Sequence, residues 1–149
     1  MRRAVKAVAI SLMGMAMLAG CSDNHDVGHV PGAEGVKEVP PVIGSAMAIG
    51  DGPRACSLMS ANAQKRLVAK LRAKNCPDSI ALAAGTLSAA DKSWLSAMTV
   101  EDIKVSRSNA TGRIAGKSAV PTAVRSLFGS ENLTFRNESE RWELDSVSP

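Results

Sequence analysis

The chain has 149 residues, with 18 basic and 14 acidic side chains, two Phe, two Trp and no Tyr. So few aromatics leave little with which to stack nucleotide bases, which argues against a nucleic-acid partner. The basic excess is also partly local: Arg2, Arg3 and Lys6 fall in the first six residues, and beyond them 15 basic side chains face 14 acidic ones, so the sequence pI near 9.2 says little about partners.

Those three cations precede an uncharged stretch from Ala7 to Ser22, 16 residues long. A membrane-spanning helix needs about 20. A cleavable export signal over residues 1–20 fits the length better than a permanent anchor, and it carries everything after it out of the cytoplasm. Leu18-Ala19-Gly20-Cys21 resembles the bacterial lipobox, in which small residues precede a cysteine that is diacylated on sulfur before cleavage. By that resemblance Cys21 is the lipidated first residue of the mature chain, held on the extracytoplasmic side of the cell membrane. The competing reading is an ordinary secretory signal, which leaves Cys21 an unpaired thiol. Two acyl chains suffice for stable anchoring without crossing, at about 0.8 kcal/mol per buried CH₂.

From Cys21 to Pro41 the chain is rich in Gly and Pro and has no apolar periodicity, which predicts a solvated tether reaching roughly 25 Å root-mean-square. His25 and His29 stand four apart in it, a spacing that chelates metal only on a helix. Gly28 and Pro31 argue against that helix and no third ligand is near, so neither a metal nor a cofactor is expected.

Residues 42–149 then suffice for one modest domain. Val42, Ile43, Ala46 and Met47 share a helical face that ends at Gly50-Asp51-Gly52-Pro53. Ser60 is placed to cap a helix through ANAQKRLVAKLRAK, with Leu67, Val68 and Leu71 as a narrow apolar stripe. Pro77-Asp78 opens a third helical segment, and Ser88 to Asp91 has the form of a capping box. Beyond it the period changes from helical to alternating. Ile103 and Val105 alternate with polar residues, Ser108-Asn109 supplies a turn, and Thr111 to Ile114 returns. Leu133 and Phe135, then Trp142 and Leu144, repeat the design around a turn at Asn137 to Glu140. Helices followed by antiparallel hairpins predict an α+β domain, with the helices covering one face of the sheet. Trp94, Trp142, Phe128 and Phe135 are expected in its core.

Two further cysteines bracket the basic helix, Cys56 before it and Cys76 after it. Export places them where disulfides persist, so a Cys56–Cys76 bond is expected, against the competing reading of two buried free thiols. Between Gly52 and Pro77 stand six cations and no acid: Arg54, Lys65, Arg66, Lys70, Arg72 and Lys74. One reading makes them a contact for anionic headgroups or an acidic envelope polymer. The other makes them the solvated face of an amphipathic helix.

MAIGDGPRACSLMSANAQKRL, the run from Asn75 to Gly116, and LTFRNESERWELD together resemble a group of exported actinobacterial lipoproteins with a nuclear transport factor 2-like domain. The likeness spans about Ile43 to Asp145. It implies helices packed on a strongly curved antiparallel sheet, a cone whose concave face can enclose a pocket. Members include polyketide-cyclase-like enzymes, isomerases and domains without catalysis, so fold alone does not give function. Catalytic members carry an Asp, often with a His or Tyr, inside the cone. Here residues 42–149 contain neither His nor Tyr, and most acids fall at turns or helix starts. The expectation is a non-enzymatic lipoprotein that presents its domain to an envelope protein or a small apolar ligand, with no catalytic residue. The alternative is a small cyclase-like or isomerase-like enzyme using a pocket carboxylate, its pKa raised by burial.

Overall fold

The computed structural model describes residues 26–116 and 118–146. The export signal expected over residues 1–20, the expected lipidation site Cys21 and His25 lie outside the described residues.

The first helix corrects the tether. α1 runs Gly32–Ile49, so the stretch from Gly32 to Pro41 is folded rather than solvated, and Val36, Val39 and Pro40 are buried. Pro40 and Pro41 sit inside this helix. Each removes an intrahelical hydrogen bond, a loss of about 3 kcal/mol in a helix interior. Burial of Val36, Val39 and Ile43, at about 1.5–3 kcal/mol each, is of a size to offset that. The tether reading failed because it weighed Gly and Pro locally, while α1 is held by what it packs against. α1 lies across the sheet and touches four other helices or strands of the fold besides its strongest partner, the helix that leads into the sheet.

Gly50, in the left-handed region at φ 78°, ends α1 as the sequence predicts. Asp51 then caps the short α2, Gly52–Cys56, by accepting a hydrogen bond from the Arg54 N–H. Ser60 caps α3, Ala61–Leu71, accepting from the Ala63 N–H. α4 is Cys76–Thr86, capped by Asn75, and α5 is Ala89–Ser96, opened by the expected Ser88–Asp91 capping box. α1 and α5 approach closely at Gly44, where a Cβ would stand 2.1 Å from the Leu95 carbonyl oxygen.

Four strands follow: β1 Thr99–Ser106, β2 Asn109–Ala115, β3 Asn132–Glu138 and β4 Arg141–Leu144. A short helix, α6 Thr122–Phe128, joins β2 to β3. All neighbours are antiparallel in the order β1-β2-β3-β4. The α+β class is as expected, but the sheet is not strongly curled. Bulges are what bend strands, and the register shifts in only one pairing, between Glu101 and Lys104 on the outer strand β1. That bulge, with Asp102 at φ 54°, also interrupts the alternation read at Ile103 and Val105.

The inner face of the sheet carries Val100, Ala110, Ile114, Leu133, Phe135, Trp142 and Leu144, all buried, with α1 packed on β1 and β4. Phe128, Phe135 and Trp142 are core residues as expected. Trp94 is only partly buried, lying over Gly116 with its indole N–H donating to the Ser118 carbonyl at 3.3 Å.

The free edge of β4 is covered twice. The Trp142 N–H donates to the Gly28 carbonyl, and two residues on the Leu144 N–H donates to the Leu58 carbonyl while its own carbonyl accepts from Ser60. Gly28 reaches this position at φ 82°, where a Cβ would meet the Trp142 carbonyl oxygen at 2.7 Å. The chain therefore enters the domain at Gly28, beside the start of α3.

Candidate functional site: a cationic helix face beside the chain entry

The sequence marked Cys56 and Cys76, and the fold brings them together. Cys56 is the last residue of α2 and Cys76 the first of α4, and these two helices pack on each other. Both cysteines are buried, with their sulfur atoms at bonding distance and Cα atoms 6.1 Å apart, inside the range that disulfides occupy. The bond ties the two ends of the α3 segment, so the basic helix is one side of a closed loop.

α3 buries little of itself, chiefly Ala63 and Leu67. Val68 and Leu71 pack partly against the core, and the opposite side faces outward. Lys65, Arg66, Arg72 and Lys74 are exposed, and none of the four forms an ion pair among the described residues. Arg54 and Lys70 are half-buried and each has a partner. The six cations of the sequence thus divide into four available charges and two engaged ones.

Arg72 closes α3 in the left-handed region at φ 52°. With Lys74 it forms one wall of a shallow groove of about 660 Å³, whose other wall is the outward face of α4: Asp78, Leu82, Gly85 and Thr86. These fall at i, i+4, i+7 and i+8, one stripe of a helix. Leu82 is 52 % exposed there, more than any other large apolar side chain among the described residues except Ile49. Sequence reading missed this stripe because Ala-, Gly- and Leu-rich α4 reads as apolar all round; only packing decides which side is left out. The single acid of the groove, Asp78, lies in the first turn of α4 with its N–H donating to Asn75.

The sheet treats its charges differently. Arg113 of β2 pairs with both Glu101 and Asp102, Arg125 of α6 with Glu131, Arg136 of β3 with Glu138, and Arg141 of β4 with Glu143. Glu143 is the one carboxyl with a resolved pKa shift. Burial raises it, the nearby Arg141 works against that, and Glu138 and Asp145 push the same way as burial. By strand alternation it lies on the face opposite Trp142 and Leu144, away from the core.

The remaining acids hold local structure. Asp51 and Asp91 serve helix starts, and Asp145 accepts from the Ser60 hydroxyl at 2.5 Å, joining β4 to the α3 cap. Among the described residues the only buried polar or charged ones are Ser60 and Ser79. His29 is exposed, and no three metal-ligating side chains converge among the described residues. Nor is any described helix long and apolar enough to cross a membrane. No family model, curated protein or solved structure matches this chain.

Proposed function

We propose that this chain is a lipoprotein, anchored through acylated Cys21 on the extracytoplasmic face of the cell membrane, whose domain is a non-enzymatic module for an envelope protein or a small apolar ligand. One observation carries the non-enzymatic part. The inner face of the sheet, where a cyclase-like enzyme would hold its carboxylate, is filled by Leu133, Phe135, Trp142, Leu144 and the buried face of α1. An acid acting as a general base needs burial to bring its pKa toward neutrality. No described acid is buried, and Glu143, the one raised carboxyl, lies on the other face.

The same packing supports a filled variant of the nuclear transport factor 2-like fold. Helices precede hairpins in the order that resemblance implies, and α1 packs on β1 and β4 of the sheet.

Three measurements test this reading. The intact mass of the chain extracted from membranes should equal that of residues 21–149 plus a diacylglyceryl group; an unmodified chain overturns the anchor. Affinity capture of the anchored chain after cross-linking in intact envelopes should retain a discrete protein or lipid-like ligand that unfolded chain does not. Turnover of an added polyketide-like or enolisable substrate, abolished by one carboxylate substitution, would overturn the non-enzymatic assignment.

A further inference from the structure

We propose that the α3–α4 face docks on anionic lipid headgroups, with Lys65, Arg66, Arg72 and Lys74 as the headgroup contacts and Leu82 as the apolar one. The inference rests on the lipid anchor at Cys21 and follows from where the chain enters the domain. Folded structure starts far earlier than the Gly- and Pro-rich sequence suggests. Cys21 lies only five residues before Asp26, the first described residue, so full extension separates them by at most about 18 Å. A domain so held cannot stand off from the bilayer; some face of it must lie near the headgroups.

The β4 edge says which face. Gly28 pairs with Trp142, and Leu58 and Ser60 pair with Leu144, two residues along the same strand. Chain entry and the start of α3 are therefore about 7 Å apart along that edge. α3 runs from this point for 11 residues, about 16 Å, with Lys65 and Arg66 in its second turn and Arg72 and Lys74 just past its end.

Charge complementarity supplies the partner. Four exposed cations lack ion pairs among the described residues, in contrast to the arginines of β2, β3 and β4, and one acid, Asp78, shares the groove that Arg72 and Lys74 line. A basic surface near anionic headgroups gains attraction for each cation brought within a Debye length, and the short anchor supplies that proximity at no further cost in chain entropy. Leu82, half exposed between α4 and the Arg72–Lys74 wall, is placed to meet the headgroup–acyl boundary once the cations are seated.

The test is a lysine footprint on the full chain, with acylation of each lysine read by mass spectrometry. The chain is reconstituted in vesicles of phosphatidylcholine or of an equal mixture of phosphatidylcholine and phosphatidylglycerol. Lys65 and Lys74 should lose reactivity several-fold on the anionic vesicles and regain it in high salt, while Lys104 on exposed β1 stays unchanged. In Arg66→Gln/Arg72→Gln, which keeps both reporter lysines, protection should fall, with the ratio of docked to undocked chain down about fivefold for each cation removed. Equal labelling of Lys65 and Lys74 on both vesicle types overturns the proposal. Stronger protection by a soluble glycerol-phosphate polymer than by anionic vesicles overturns it in favour of a polymer ligand. Intact mass read on the same sample separates the two ideas: an acylated chain without protection refutes the docking face alone, and an unacylated chain refutes the anchor on which it rests.

Discussion

The two faces of this small domain handle most of their positive charge differently. On the sheet side the four arginines of β2, α6, β3 and β4 each meet a carboxylate, while Lys104 of β1 and Arg107 of the β1–β2 turn do not; on the α3–α4 side Lys65, Arg66, Arg72 and Lys74 all meet none among the described residues. Paired surface charges satisfy one another and hold their side chains, though each pair contributes only about 0–1 kcal/mol. Unpaired ones on a helix with little buried surface add nothing to the fold. Composition alone conceals this difference, because beyond the first six residues the counts nearly cancel.

If the basic side is held as a unit, the Cys56–Cys76 bond is what holds it, so breaking it should give the largest effect. The two cysteines are 20 residues apart. Closing a loop of that size contributes roughly 3 kcal/mol by the chain-entropy model, a substantial part of the stability of a domain this small. We expect reductant to lower the urea midpoint accordingly, with hydrogen exchange rising in α3 and α4 before it rises in β2 and β3. A midpoint unchanged by reductant, or thiols that react before reduction, would show that the sulfurs are not bonded in the protein.

Ser60 is where the two regions are joined. Its hydroxyl accepts from the Ala63 N–H at the start of α3 and donates to Asp145 just beyond β4, and the residue is 2 % exposed. Ser60→Ala removes a cap and leaves Asp145 without this donor, a cost of about 1 to 2 kcal/mol. Ser60→Thr keeps the hydroxyl and should recover most of it. Equal loss in both variants would mean that packing space, not the hydrogen bonds, sets the cost.

Much of this was legible locally and the rest was not, for a physical reason. Caps at Ser60 and Ser88, the break at Gly50 and the two hairpins are written in side chains that act on their own neighbourhood. The first half of α1 is not: Pro40 and Pro41 speak against helix, and only the sheet and α5, far along the chain, outweigh them. The same limit hid the chain entry, since nothing in Asp26 to Pro31 announces a partner at Trp142. For the candidate site, the six cations were countable in sequence, but which four are available depended on tertiary neighbours. The disulfide partners could be named because only two cysteines were left once Cys21 was assigned.

On the sheet side, the charge pairs should matter little one at a time. Arg113 spans Glu101 and Asp102 across the β1 bulge with all three side chains roughly half exposed or more. Arg113→Gln should lower stability by at most about 1 kcal/mol and reduce its sensitivity to salt. A larger loss in thermal unfolding would assign the pair a part in fixing the bulge, where Asp102 already holds a positive φ.

The smallest effect expected is in pH dependence, and it separates the sheet's one partly buried pair from the exposed ones. Glu143 and Arg141 lie 3.6 Å apart with side chains 20 % and 19 % exposed, unlike the half-exposed pairs elsewhere. Burial holds the Glu143 carboxyl above its ordinary value of 4.5, against the pull of Arg141. A carboxyl raised on folding favours the native state while it is protonated, so its contribution is fully present below the unfolded pKa and is lost as pH rises through the folded one. Glu143→Gln removes that titration. Urea midpoints measured between about pH 4 and 7 should therefore fall less, or rise more, with pH in the variant than in the parent chain. The control is Glu101→Gln, whose carboxyl is half exposed and lies beside Arg113. If Glu143→Gln leaves the pH profile unchanged, Arg141 offsets the burial of Glu143 in full, and the sheet's charges form one uniform class.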